Sequence, residues 1–315
     1  MLAKPAPAAP SAALPRALLH PRWWFAWLLL GLGRALCWLP LSALLAIGSS
    51  LGWLVWRVLP SRRRIARINL RLCFPALPEA EIVALVEGHF RALGMGLFET
   101  LLAWLAPDAK LAGRIELRGV EHLDAATADG SGVLLLTGHF TTLEIAARAI
   151  CLAGRPFHAM YRPADNAFVN WWMHRWREQR SGASALPKDD LKSLLRALRG
   201  GGAVWYAPDQ TLDVPGAIFV PFFGVPTLTL TATSRLAQLG RAKVVPFFPE
   251  RTADGRYVVT MGPALANFPS GDDEADTRRV NALLEDAIRV CPEQYFWTHR
   301  RFKHRPPGAP DPYAR

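Results

Sequence analysis

No C-x-x-C pair occurs in this chain, and its four cysteines, Cys37, Cys73, Cys151 and Cys291, stand far apart in apolar or helical settings. That spacing excludes a disulfide-dense scaffold and a zinc-ribbon pattern, and reads as free thiols of a reducing compartment. H-E-x-x-H is missing as well, so no metal site is expected. No serine or cysteine stands in a G-x-S-x-G turn, which leaves a reacting hydroxyl to be supplied by a substrate. Acidic residues are scarce: 26 Asp and Glu against 37 Lys and Arg give a net charge of +11 at pH 7. The basic residues do not interleave with a nucleic-acid fold signature, so no nucleic-acid partner is expected. Anionic lipid headgroups, phosphorylated glycolipids and an acidic carrier protein suit the same charge.

What is present is apolar. Hydrophobic residues make up 51% of 315 positions, enough to bury one large domain with an appendage. Residues 1–22 begin rich in Ala and Pro and read as a flexible tail. From Trp23 to Trp56 the one charge is Arg34, and the uncharged part from Ala35 to Trp56 is long enough to span a bilayer. Tryptophans cluster near its ends, as they do at membrane interfaces. Residues 23–60 are therefore expected to form a membrane anchor, an N-terminal transmembrane or membrane-embedded helix, with Arg34 and Pro40 interrupting it. Arg57, Arg62, Arg63, Arg64, Arg67 and Arg71 follow, against Lys4, Arg16 and Arg22 before, which places the remainder on the cytoplasmic side. Ser61 to Pro75 sets Ile65, Ile68, Leu70 and Leu72 among these arginines, either a helix lying on an anionic surface or a solvated basic helix.

Gly132 to Glu144, GVLLLTGHFTTLE, organises the rest. Val133 to Leu136 is an apolar run bounded by glycines, the pattern of a buried parallel strand. Gly138 turns the chain, His139 follows, and Thr141 or Thr142 caps a helix through Glu144. A carboxylate at Glu144 reaching back to His139 makes a general base, although a loop histidine beside a first-turn Glu has the same spacing. Further strands are expected at Ile115–Val120, Phe157–Tyr161, Ala203–Ala207, Val244–Phe248 and Tyr257–Met261. Helices over 141–153, 166–180, 188–199 and Asp276–Val290 complete an α/β fold with a central, mostly parallel sheet flanked by helices. Arg162, Asp209 and Gln210 then fall at strand ends, on the edge where His139 is expected and where ligands of such sheets sit. Arg177 and Arg180 lie on a basic helix among Trp171, Trp172 and Trp176, either a headgroup-binding face or a solvated one. The Phe219–Phe223 segment reads as an apolar loop that suits an acyl-chain wall or core packing.

GHFTTLE, MYRP (Met160–Pro163), PDQ (Pro208–Gln210), VPFFG (Val220–Gly224), VVPFF (Val244–Phe248) and PEQYFWTHRRFK (Pro292–Lys303) occur in one order. From His20 to about Pro306 the chain resembles the bacterial lipid A late acyltransferases, the lauroyl/myristoyl transferase family, within the lysophospholipid acyltransferase-like superfamily. The resemblance implies an inner-membrane enzyme that moves a fatty acyl group from acyl carrier protein to a hydroxyl of a phosphorylated glycolipid, a lipid A precursor, without a cofactor. It implies His139 and Glu144 as the catalytic dyad, Asp209 as part of the active site, and a closing C-terminal segment in which His299 is a charge partner rather than a base. Residues 61–306 would be the acyltransferase domain and 307–315 a disordered tail. A phosphatidylinositol mannoside or a lysophospholipid as acceptor is the neighbouring alternative, and a non-catalytic membrane-binding module the alternative of another class.

Overall fold

A computed structural model describes residues 14–314. Most of the tail expected over residues 1–22 lies outside them. The part inside is ordered: Leu18 is buried and accepts a hydrogen bond from Trp27 Nε1 at 2.8 Å. Helices Trp24–Leu36 (α1) and Leu41–Val58 (α2) occupy the expected anchor region. The chain breaks before Pro40, whose ring bars a continuous helix. By length and composition α2 is the one described helix able to cross a membrane.

Helix Pro60–Cys73 (α3) starts with proline at its first position, where the missing N–H costs nothing. Its apolar stripe packs into the protein. Ile65, Ala66, Leu70 and Cys73 join the main core, and Asn69 Nδ2 donates to the carbonyls of Trp297 and His299, both at 2.7 Å. Helices Glu79–Leu105 (α4) and Asp108–Ala112 (α5) follow.

The α/β part alternates as its sequence pattern implies. Strand Ile115–Arg118 (β1), helix Val120–Thr127 (α6), strand Gly132–Leu136 (β2), helix Leu143–Leu152 (α7), strand His158–Tyr161 (β3) and helix Ala167–Ser181 (α8) come first. Strand Leu186–Pro187 (β4), helix Leu191–Arg199 (α9) and strand Ala203–Tyr206 (β5) follow. The hairpin Ala217–Phe222 (β6) and Val225–Leu230 (β7) comes next, then helix Ala232–Gly240 (α10), strands Ala242–Arg251 (β8) and Tyr257–Met261 (β9), and helix Asp273–Val290 (α11). The main sheet has the order β1-β9-β8-β2-β5-β3-β4 and is parallel except for the β8–β9 pair. Central β2 is buried at every residue, because β8 and β5 flank it and helices cover both faces, which is why its sequence is continuously apolar.

The Phe219–Phe223 stretch is not a loop. It enters the β6–β7 hairpin, with Phe222 fully buried against Tyr295 and Phe302. The expected disordered C-terminus is also corrected. Tyr313 is buried, its hydroxyl donates to Asn69 Oδ1 and accepts from Phe302 N, and Arg64 Nη1 donates to the Tyr313 carbonyl at 3.0 Å. One aromatic anchor suffices to order a Pro-rich tail. Tyr313→Ala is expected to cost about 3–5 kcal/mol, the usual loss for a buried aromatic, read from thermal or denaturant unfolding.

Candidate active site

His139 stands three residues beyond the end of β2, and Asp209 three residues beyond the end of β5. The two strands are parallel neighbours in register, so equal offsets bring the residues side by side on the carboxyl edge. His139 N donates to Asp209 Oδ2 at 2.8 Å, and His139 Nδ1 lies 2.5 Å from Asp209 Oδ1. A carboxylate only accepts, so Nδ1 carries the proton and Nε2 is left as a free lone pair. The imidazole is 32% exposed while Asp209 is buried at 2%. Gly138 permits this approach: a Cβ there would meet Leu284 Cδ2 at 2.9 Å and Asp209 Oδ2 at 3.4 Å.

Electrostatics follow from the pairing. Burial lowers the pKa of His139, but the charge and hydrogen bond of Asp209 outweigh it, so the net shift is upward. Burial pushes Asp209 up in turn, and the attraction and hydrogen bonds of His139, with Arg301 behind, bring it down to about 2. The dyad is thus a carboxylate and an imidazole whose protonated form is favoured.

Glu144 does not reach His139. Its Oε1 accepts from Arg177 Nη2 at 2.6 Å and its Oε2 from Trp104 Nε1 at 2.8 Å. The reason is tertiary. Helix α7 begins at Leu143, as a Thr142 cap implies, and its first turn sets Glu144 between Trp104 of α4 and Arg177 of α8. Thr142 occupies the N-cap position without a side-chain cap bond.

The other expected site residues divide. Arg162 is exposed immediately after β3, on the same sheet edge, and Gln210 is half-buried beside Asp209. Arg177 and Arg180 are engaged within the protein. Arg177 holds Glu144, while Arg180 donates to Asp108 Oδ1 at 3.0 Å and to the carbonyl of Ala106 at 3.0 Å. Arg148, 4% exposed, also binds Asp108. Among the described residues no three His, Cys, Asp or Glu side chains gather as a metal site would require.

The family model described as bacterial lipid A biosynthesis acyltransferase matches residues 13–304. The lipid A biosynthesis lauroyltransferase of Escherichia coli K12 is 40% identical over 299 residues, spanning 94% of this chain and 97% of that protein. The palmitoleoyltransferase of the same organism is 36% identical over 303 residues, covering 95% and 97%, and its myristoyltransferase 30% over 299, covering 94% and 92%. The chain belongs to the bacterial lipid A biosynthesis acyltransferase family.

Three groups of this acyltransferase, all from the C-terminal PEQYFWTHRRFK segment, frame the dyad. The 294–296 segment zips onto the His139 turn: Phe140 and Tyr295 form an antiparallel bridge, Thr141 N donates to Gln294 O at 2.8 Å, and Phe296 N to His139 O at 2.9 Å. Burial first, and then the charge of Asp209, hold the Tyr295 phenol well above its ordinary pKa, so it stays a neutral hydroxyl bonded to that carboxylate. Arg301, buried at 2%, donates to Thr211 Oγ1 at 2.6 Å, to Leu228 O and to Thr229 Oγ1, tying the Asp209 loop to the hairpin. His299 Nε2 accepts from Thr211 N at 3.3 Å, and burial with the nearby Arg301 charge lowers its pKa to about 4. It is a neutral acceptor rather than the charge partner expected, because burial disfavours its charged form and a cation is already next to it.

Proposed function

We propose that this acyltransferase moves a fatty acyl group from acyl carrier protein to a hydroxyl of a lipid A precursor at the cytoplasmic face of the inner membrane. Support comes from the family and from relatives named as lauroyl-, palmitoleoyl- and myristoyltransferases of lipid A biosynthesis. The observation that carries the chemistry is the His139–Asp209 pair, in which Nδ1 of a part-exposed imidazole is taken by the carboxylate and Nε2 is left to act.

His139 Nε2 takes the proton of the acceptor hydroxyl, and Asp209 stabilises the imidazolium that forms. The alkoxide attacks the thioester carbonyl, giving a tetrahedral oxyanion. Its collapse expels the carrier thiolate, which recovers the proton from the imidazolium, leaving an ester and a free carrier thiol. General-base assistance is worth about 10²–10⁴-fold, so positioning and oxyanion stabilisation supply the rest. Arg162 and Gln210 are positioned on the edge to bind acceptor or carbonyl oxygens. Glu144 serves the site through Arg177 and Trp104, fixing α8 against α4, and not as the partner of the base.

Mass spectrometry of lipid A from a late-acyltransferase-deficient Gram-negative host tests this reading. The native protein is expected to add the mass of one fatty acyl group, and His139→Ala at matched expression to add none. Addition by both proteins would remove His139 as the base. Addition by neither, with acyl groups appearing on another lipid, would move the acceptor to that lipid class.

A further inference from the structure

Helices α1 and α2, and the turn between them, expose large apolar side chains. Trp24, Phe25, Leu28 and Trp38 are between 64% and 86% exposed, and Leu54 of α2 is also exposed. Soluble surfaces rarely leave so much large apolar area bare, and basic side chains rim this one: Arg22 lies over the Trp23 ring at 5.1 Å, and Arg57 over Trp53 at 4.8 Å. The occupant matching an apolar face with cationic, tryptophan-rich edges is an anionic bilayer.

The same helices bear on how that bilayer is met. At about 1.5 Å per residue, 13-residue α1 is about 20 Å long, short of the roughly 30 Å hydrocarbon core. α2 has the length, but both of its ends are tied to one folded domain. At its start, Lys110 of α5 donates to the carbonyls of Cys37 and Leu39, and Arg34 Nη1 to Leu105 O at 3.3 Å. Along its middle, Gly48 and Gly52 lie against the backbone of α4 so closely that a Cβ on Gly94 would sit 2.0 Å from Gly48 O. At its finish it runs into α3, whose buried face belongs to the main core. α4 itself carries Arg91, bonded to Ser49 and Glu87, and Gly96 abuts Thr141 two residues from His139. A crossing α2 would carry these charges and the catalytic turn to hydrocarbon depth.

We infer that α1 and α2 form a monotopic platform that seats the protein in one leaflet of an anionic membrane, and that α2 does not cross it. This holds whichever lipid is the acceptor. It brings the sheet edge bearing His139 to the membrane surface, where a hydroxylated glycolipid headgroup is reached without leaving the bilayer.

Protease-cleavable epitope tags joined to Met1 and after Arg315 of the full chain, assayed in sealed inside-out and right-side-out inner-membrane vesicles, test the topology. Both tags are expected to be cut from the same face. Cutting from opposite faces would overturn the inference. Trp38→Cys, read against the parent chain with a membrane-impermeant maleimide, separates a platform from a hairpin that crosses twice. Labelling from the face of the tags, or from neither face, supports the platform, and labelling from the far face overturns it. Loss of acyl transfer without a change in topology would count against the proposed function alone.

Discussion

Asp209→Asn is expected to lower kcat by about 10²–10⁴-fold and to move the acidic limb of the pH–rate profile toward lower pH. The direction follows from the state that works. A general base acts when neutral, so activity rises with pH as His139 loses its proton. With Asp209 present, the imidazole pKa is raised, and the limb lies above the ordinary value of about 6.5. Removing the carboxylate leaves burial, which lowers it. Glu144→Gln should reduce turnover by loosening Arg177 and Trp104 yet leave the limb where it is. Acyl transfer in detergent micelles across pH separates the two carboxylates. The same pairing contributes to stability: that of His139 is present below about pH 6.5 and lost as pH rises through its raised folded pKa, while that of Asp209 is present above about pH 3.9 and lost as pH falls toward about 2.

The second large effect is structural. Glu99 of α4, 1% exposed, accepts from Arg251 Nη1 at 2.6 Å and from the Tyr257 hydroxyl at 3.0 Å, joining α4 to β8 and β9. Burial raises its pKa, and the Arg251 charge and the two hydrogen bonds pull against that rise. Glu99→Ala strands the guanidinium without a counter-charge, at an expected cost of about 3–5 kcal/mol in unfolding free energy. Replacing both partners, Glu99→Leu with Arg251→Met, should recover most of that loss, because the penalty belongs to the unpaired charge. Chemical denaturation of the parent protein and the two variants measures it. A double variant as unstable as Glu99→Ala would contradict this account.

How much the sequence disclosed depends on whether the signal is local. β2 announces itself because a strand buried on both faces must be apolar throughout, and the strand-end rule then places His139 and Asp209 on one edge. Their partnership was not legible, since it depends on β5 lying beside β2, a pairing 70 residues apart in sequence. Spacing favoured Glu144 for the role, but Arg177 of α8 and Trp104 of α4, which no local pattern brings beside it, take up its carboxylate. The β6–β7 hairpin was hidden because its tight turn places Phe223 and Gly224 at φ 50° and 75°, a position where Asn or Gly is the usual sign. Phe223 is held there by Glu285, whose Oε1 accepts from its N at 2.7 Å, and by ring contact with Phe74. The packing of the anchor region was not legible for another reason. Hydropathy counts apolar residues without asking whether glycines among them, here Gly48 and Gly52, are spent on close packing against a partner helix.

A titration of the His139 ring by ¹⁵N NMR, in histidine-labelled protein with the resonance assigned by its loss in His139→Gln, tests the central claim most directly. The expected result is an Nδ1-protonated neutral ring, a midpoint above about 6.5, no change in Glu144→Gln, and a fall in Asp209→Asn. A midpoint that drops in Glu144→Gln while Asp209→Asn leaves it in place would contradict the account and return the base to a His139–Glu144 pair.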